Sequence, residues 1–178
     1  DEYVVGIFSR LVKWKGHNLF VDVAKKIIEN KIKSKFLILG EGEEKENIIN
    51  KIRELGLSNY FFVLGHKENV YDFINLCDIV CNLSIEPEPF GRTIIEAMAL
   101  KKVVFSTNIG GPNEIIDDEI DGFLCEANSD IISKKIIEVL KNSKLMNKIG
   151  ENAYKKIFNN FNIKNQLAKI ESLYEEII

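Results

Sequence analysis

The sequence predicts an α/β domain, a doubly wound parallel sheet of about six strands with helices on both faces. Three observations point there. Short, nearly continuous apolar runs alternate with longer segments of helical period, the pattern of strands buried on both sides and joined by helical crossovers. No stretch of Gly, Pro or Ser divides the chain, and no repeat with a period of about 20–50 residues is visible. The 178 residues, 46% of them hydrophobic, are enough for one core, so residues 1–178 read as a single domain.

The elements follow in order. Residues 3–8 are an unbroken apolar run and make the first strand. Leu19, Phe20, Val23, Ile27 and Ile28 then share a stripe with Lys25, Lys26 and Glu29 off it, which defines a helix with one face to bury. Residues 36–39 form the second strand, and a helix over about 44–55 ends at Gly56. Residues 60–64 supply the third strand, 70–76 a short helix and 79–83 the fourth strand. The helix 93–100 leads to the strand 103–105, and 122–125 is a last short strand. Helices over 129–141, about 145–158 and 164–178 close the chain. The last carries Leu167, Ile170, Leu173, Tyr174 and Ile177 on one face, an apolar stripe that needs a partner surface.

Charge narrows the functional classes. With 24 Lys and Arg against 27 Asp and Glu, and a pI near 5.6, bulk attraction to nucleic acid is excluded as the mode of action. Only Arg10, Arg53 and Arg92 are arginines, which singles them out for inspection. No apolar run approaches the ~20 residues that span a bilayer, and the N-terminus lacks a basic-then-apolar signal segment. The expectation is a cytoplasmic protein, with any membrane contact peripheral and made through the full-length protein. Cys77, Cys81 and Cys125 sit inside apolar runs and read as buried reduced thiols. Two histidines, His17 and His66, are too few for a multi-histidine metal site.

Doubly wound sheets bind ligands at the carboxyl ends of their strands. After the first strand, a dinucleotide site would place Gly-x-Gly-x-x-Gly and a phosphoacceptor domain would place carboxylates, and neither is present. Instead Arg10 and Lys15 bracket a loop just before a helix. An Arg fork and a Lys point charge suit a diphosphate, though a solvated basic loop would look the same. The turn Gly40-Glu41-Gly42-Glu43-Glu44 carries three carboxylates and no Walker Lys-Ser/Thr, which favours a plain turn.

The stretch Glu86-Pro87-Glu88-Pro89-Phe90-Gly91-Arg92-Thr93-Ile94-Ile95-Glu96 is more informative. Pro89 keeps Glu88 out of helical geometry and so in the loop. The helix starts near Gly91 or Arg92, leaving the amides of Gly91, Arg92 and Thr93 and the positive end of the dipole to form an anion site. Glu96, one turn in, can accept two hydrogen bonds from a ribose diol or can simply complement the dipole. Gly110-Gly111 after the fifth strand permits either close approach to a bound group or a tight turn. His66, after Gly65, is an exposed loop residue or a pocket wall.

Taken in order, these pieces resemble the C-terminal half of the retaining nucleotide-sugar glycosyltransferases of the group 1 type, also called family 4, of GT-B architecture. The matching elements are Arg10-Leu11 with Lys15-Gly16, Gly40-Glu41-Gly42, Val63-Leu64-Gly65, Glu88-Pro89-Phe90-Gly91 through Glu96-Ala97-Met98-Ala99, and Gly110-Gly111 with Glu114. Seven residues separate Glu88 from Glu96, the spacing of the family's Glu-x7-Glu motif. The resemblance implies one Rossmann-like half of a GT-B fold that binds a nucleoside-diphosphate sugar (UDP-, GDP- or ADP-sugar). Arg10 and Lys15 would hold the diphosphate, the amides of Gly91, Arg92 and Thr93 would cap it, and Glu96 would bind the ribose. Glu88 would face the transferred sugar, and the base would lie near Gly65, His66 and Lys67. Arg92 stands where the family often has leucine.

The resemblance further implies transfer to an acceptor with retention at the anomeric carbon, Glu88, Arg10 and Lys15 serving the chemistry. No metal is required, because protein cations stabilise the leaving group, and no Asp-x-Asp motif is present. The acceptor, a glycan, lipid or other molecule, would be held by an N-terminal domain that this chain lacks. Rivals of the same fold are a sugar-nucleotide epimerase or a phosphorylase. A non-catalytic nucleotide-binding domain is the rival from another class.

Overall fold

The computed structural model describes residues 2–161, 167 and 170–175. Six strands form one parallel sheet: β1 (Tyr3–Phe8), β2 (Ser34–Leu39), β3 (Phe61–Val63), β4 (Ile79–Asn82), β5 (Val103–Thr107) and β6 (Phe123–Cys125), in spatial order β3-β2-β1-β4-β5-β6. The helices are α1 (His17–Glu29), α2 (Lys45–Glu54), α3 (Val70–Leu76), α4 (Arg92–Ala99), α5 (Pro112–Ile115), α6 (Ser129–Leu140) and α7 (Ser143–Asn160), with a single 3-10 turn at Lys13–Lys15.

Strand alternation builds two cores. Val5, Ile7, Phe36, Ile38, Ile79, Cys81, Val103 and Phe105 face one side, where they meet α1, α2 and α6. Phe8, Leu37, Leu39, Val80 and Val104 face the other, against α3, α4 and the apolar face of α7. Every central strand is covered twice, which is why its sequence reads as a continuous apolar run. Cys77, Cys81 and Cys125 are buried free thiols, and burial pushes Cys77 up to about 12 and Cys125 up to about 11.

Each expected strand and helix is present apart from differences at the edges. α7 begins at Ser143, ahead of the expected 145, because the Asn142 side chain accepts the Leu145 amide at 3.0 Å and caps the helix. The segment read as a glycine turn continues into α5, a four-residue helix with Pro112 in its first turn. Of the helix expected over 164–178, only residues 167 and 170–175 are among those described; they are helical, and Leu167, Ile170, Leu173 and Tyr174 are exposed. Ile177 lies outside the described residues. No helix among the described residues is long and apolar enough to cross a membrane.

Candidate functional site

The order reverses between β1 and β4, and this switch point is where a crevice opens at the strands' carboxyl ends. Two clefts of about 510 and 540 Å³ adjoin there, sharing Phe8, Ser9, Arg10, Val70 and Thr93. The first also draws on Trp14, Lys15, Asn82, Glu88, Gly91, Arg92 and Glu96, and the second on Gly40, Glu41, His66 and Lys67. The structure thus gathers Arg10, Lys15, Glu88, Gly91, Arg92, Thr93 and Glu96, scattered over 87 positions of sequence, around one cavity. His66 is exposed and lines the second; Gly65 is buried behind it, its carbonyl accepting the Gly40 amide at 3.0 Å.

Gly91 starts α4. It caps the helix with φ 94°, a left-handed conformation that favours glycine, and turns the chain sharply out of the Glu88 loop. The first amide of α4 with a backbone acceptor is that of Ile94, which donates to Gly91 O at 2.9 Å. Those of Gly91, Arg92 and Thr93 have no acceptor among the described residues and stand at the positive end of the helix dipole. The Thr93 hydroxyl donates to Phe8 O at 3.0 Å, fixing this helix end to the end of β1. Arg92 is 86% exposed and reaches Glu96 at 3.6 Å, so its guanidinium lies along the outside of α4 beside Glu96.

Glu88 is not the solvated loop acid its position in sequence suggests. It is 6% exposed, and its Oε2 accepts from Lys15 Nζ at 2.5 Å and from Ser84 Oγ at 2.8 Å. Thr107 Oγ1 in turn donates to Ser84 O at 2.6 Å. Glu88 also exchanges backbone hydrogen bonds with the loop after β5, donating to Ile109 O and accepting from the Gly111 amide at 2.7 Å. At Gly110, φ is 83° and an added Cβ would stand 2.5 Å from Glu88 O. Gly110 and Gly111 thus approach the backbone of Glu88 closely and help to hold it.

Lys15 is not a free cation. Its ammonium is paired with Glu88 and packed 4.1 Å from the Trp14 ring, while Arg10 is exposed and makes no ion pair among the described residues. The two cations share a cleft, but only Arg10 is unopposed. Trp14 itself is held by the Ile85 amide, which donates to Trp14 O at 2.7 Å.

Ser9, Trp14, Asn82, Ser84 and His17 are the residues that sequence reasoning missed. Ser84 was within reach of it, standing at the end of the fourth apolar run and four positions before Glu88. His17 is 2% exposed at the start of α1, with Nε2 3.3 Å from Ser9 Oγ. Burial, and secondarily the Lys15 charge, lower its pKa from 6.5 to about 4. An unfolded chain would take up this proton near pH 6.5, so stability is present above that pH and is lost as pH falls through 4. The drop attributable to His17 between pH 7 and 4 is expected to be about 3 kcal/mol. Urea titrations of the native chain and of His17→Gln across this range test it, and an equal slope in both would contradict it.

Among the described residues no three His, Cys, Asp or Glu side chains are grouped so as to hold a metal ion.

A parallel 3-2-1-4-5-6 sheet with a cation-lined crevice at its switch point is the frame on which nucleotide-handling α/β proteins are built. Comparison with known proteins narrows this. The family model for group 1 glycosyl transferases matches residues 1–156, and the chain belongs to that family. It is 29% identical over 182 residues to the UDP-Gal:alpha-D-GlcNAc-diphosphoundecaprenol alpha-1,3-galactosyltransferase of Escherichia coli, covering 100% of this chain and 46% of the relative. Anabaena HepE in complex with UDP-glucose superposes with a TM-score of 0.90 at 27% identity, over 99% of this chain and 49% of that one. The C-terminal domain of a group 1 glycosyl transferase from Francisella tularensis matches with a TM-score of 0.83 at 29% identity, over 90% of this chain and 87% of that one. The chain therefore spans about half the length of the full-length relatives and has the fold of one half of a GT-B enzyme.

Proposed function

We propose that this domain binds the nucleoside-diphosphate sugar donor of a retaining glycosyltransferase. The observation that carries the reading is that Glu88 and Glu96, Arg10 and Lys15, and the unpaired amides at the start of α4 all open on one cleft. The diphosphate lies between the two cations and those amides. Glu96 takes the ribose, His66 and Lys67 in the second cleft take the base, and Glu88 faces the sugar. Glu88 Oε2 is occupied by Lys15 and Ser84, which leaves Oε1 for a sugar hydroxyl. When the bond between the anomeric carbon and the phosphate oxygen breaks, charge grows on that oxygen, and fixed cations and amides are the groups that stabilise it. Losing one such donor lowers rate by roughly 10²–10³. UDP-glucose in the HepE relative supports a uridine nucleotide as the first ligand to try. The acceptor is met by the other half of a two-domain enzyme.

Calorimetry with UDP, GDP and ADP in the presence of a chelator tests the reading. Binding of at least one without added metal is expected, since the counter-charge is built into the protein, and binding of none would remove the central claim. Glu96→Ala is expected to weaken the bound nucleotide by roughly tenfold or more, hydrogen bonds to a charged acceptor being worth ~1.5–3 kcal/mol each, and to leave inorganic pyrophosphate unchanged. Equal losses for both ligands would mean that Glu96 only complements the helix dipole.

A further inference from the structure

Ser9 stands beside Arg10 at the end of β1, on the boundary shared by the two clefts. Its hydroxyl has two polar neighbours, His17 Nε2 at 3.3 Å and the Arg10 carbonyl at 3.4 Å. His17 is buried, and its Nδ1 has no hydrogen-bond partner among the described residues. An imidazolium would bury an unanswered N–H donor and a second positive charge near Lys15, so the ring is neutral with one proton. That proton belongs on the nitrogen that has an acceptor. Nε2 has Ser9 Oγ; Nδ1 has nothing.

With Nε2–H donating to it, the Ser9 oxygen directs its own hydrogen elsewhere. Its contact with the Arg10 carbonyl, at 3.4 Å, is long for an O–H···O hydrogen bond, so an anion in the cleft that Ser9 lines can compete for that hydrogen. We infer that Ser9 is a further diphosphate-binding residue, its hydroxyl turned to donate to a phosphate oxygen by His17, a buried positioning residue. The inference rests on the donor-site reading. It adds to that site an uncharged, directional donor in the cleft shared with Arg10 and the amides of α4, oriented before the ligand arrives. A hydrogen bond to a charged oxygen is among the stronger ones available, so the contact is large enough to measure.

The test is a binding cycle on the whole chain with two probes, UDP and inorganic pyrophosphate. Ser9→Ala is expected to weaken both by the same factor, about tenfold, and Ser9→Thr to retain affinity. His17→Leu is expected to show the same loss as Ser9→Ala, because nothing then fixes the direction of the hydroxyl. His17→Gln keeps an N–H donor and is expected to bind as the native chain does. The double variant Ser9→Ala with His17→Leu should bind no more weakly than either alone, a non-additivity that mere loosening of the fold would not produce. Nitrogen NMR of the native chain at pH 7 gives a readout that needs no ligand, and a proton on Nε2 of His17 is expected. A proton on Nδ1, unchanged affinity in Ser9→Ala, or additive losses overturn the inference while leaving the donor site standing. Failure of the native chain to bind either probe overturns the donor site and this inference together.

Discussion

Replacing Lys15 with methionine is expected to destabilise the fold by about 3 kcal/mol, and replacing Glu88 with glutamine in the same chain to restore most of that loss. The two side chains meet at 2.5 Å and are only 14% and 8% exposed. Methionine keeps an unbranched side chain of similar reach and removes the charge. The carboxylate left behind has little freedom to move, because Ile109 and Gly111 hold its backbone and Ser84 holds its Oε2. Removing one partner of a buried ion pair costs about 3–5 kcal/mol, and the lower end applies where one oxygen faces a cleft. Urea unfolding of the two single variants and the double variant measures this, and a Lys15→Met chain as stable as the native one would refute it. The pair also has a consequence for binding. UDP carries no transferred sugar for Glu88 to hold, so Glu88 acts on it only as a rival anion for Lys15. Glu88→Gln alone is therefore expected to bind UDP roughly threefold or more tightly. Weaker binding would show that Lys15 does not reach the diphosphate.

That pairing marks the limit of what could be read from sequence. The sheet was legible because strands such as residues 36–39 are covered on both faces and therefore read as unbroken apolar runs. The start of α4 was legible because Pro89 and Gly91 restrict the backbone locally, and a helix that begins there must leave its first amides unpaired. Glu88 and Glu96 were legible as a pair through the family resemblance, whose Glu-x7-Glu spacing they match. The contact of Lys15 with Glu88 joins positions 73 apart through a cleft that exists only once β1 and β4 lie side by side. The support that Gly110 gives to Glu88 is equally non-local. His17 resembles any polar residue at a helix start until the burial of its ring is known. Residue types and local geometry announced the cleft; the contacts within it are products of the fold.

The 178 residues on their own are expected to bind a nucleoside-diphosphate sugar and to transfer none of it. Binding requires only groups that this domain carries at the ends of β1, β3 and β4 and at the start of α4. Transfer requires an acceptor hydroxyl held against the anomeric carbon, and the described residues form one wall of the space in which that happens. Phe90 and Arg92, both exposed, line the first cleft beside Glu88. The full-length relatives are about twice as long as this chain, so their other half is free to supply the second wall. Holding two reactants in register can contribute ~7–11 kcal/mol of a barrier. Glu88, Arg10 and Lys15 can stabilise charge as the leaving group departs, but a fixed charge does not bring a second molecule into line. A transfer assay with labelled UDP-sugars and a panel of glycan and lipid acceptors measures this, with the Escherichia coli galactosyltransferase relative run beside it as the active comparison. Donor binding with no labelled product is the expected outcome. Turnover comparable to that of the relative would place an acceptor site within these 178 residues, and the donor-half reading would fail.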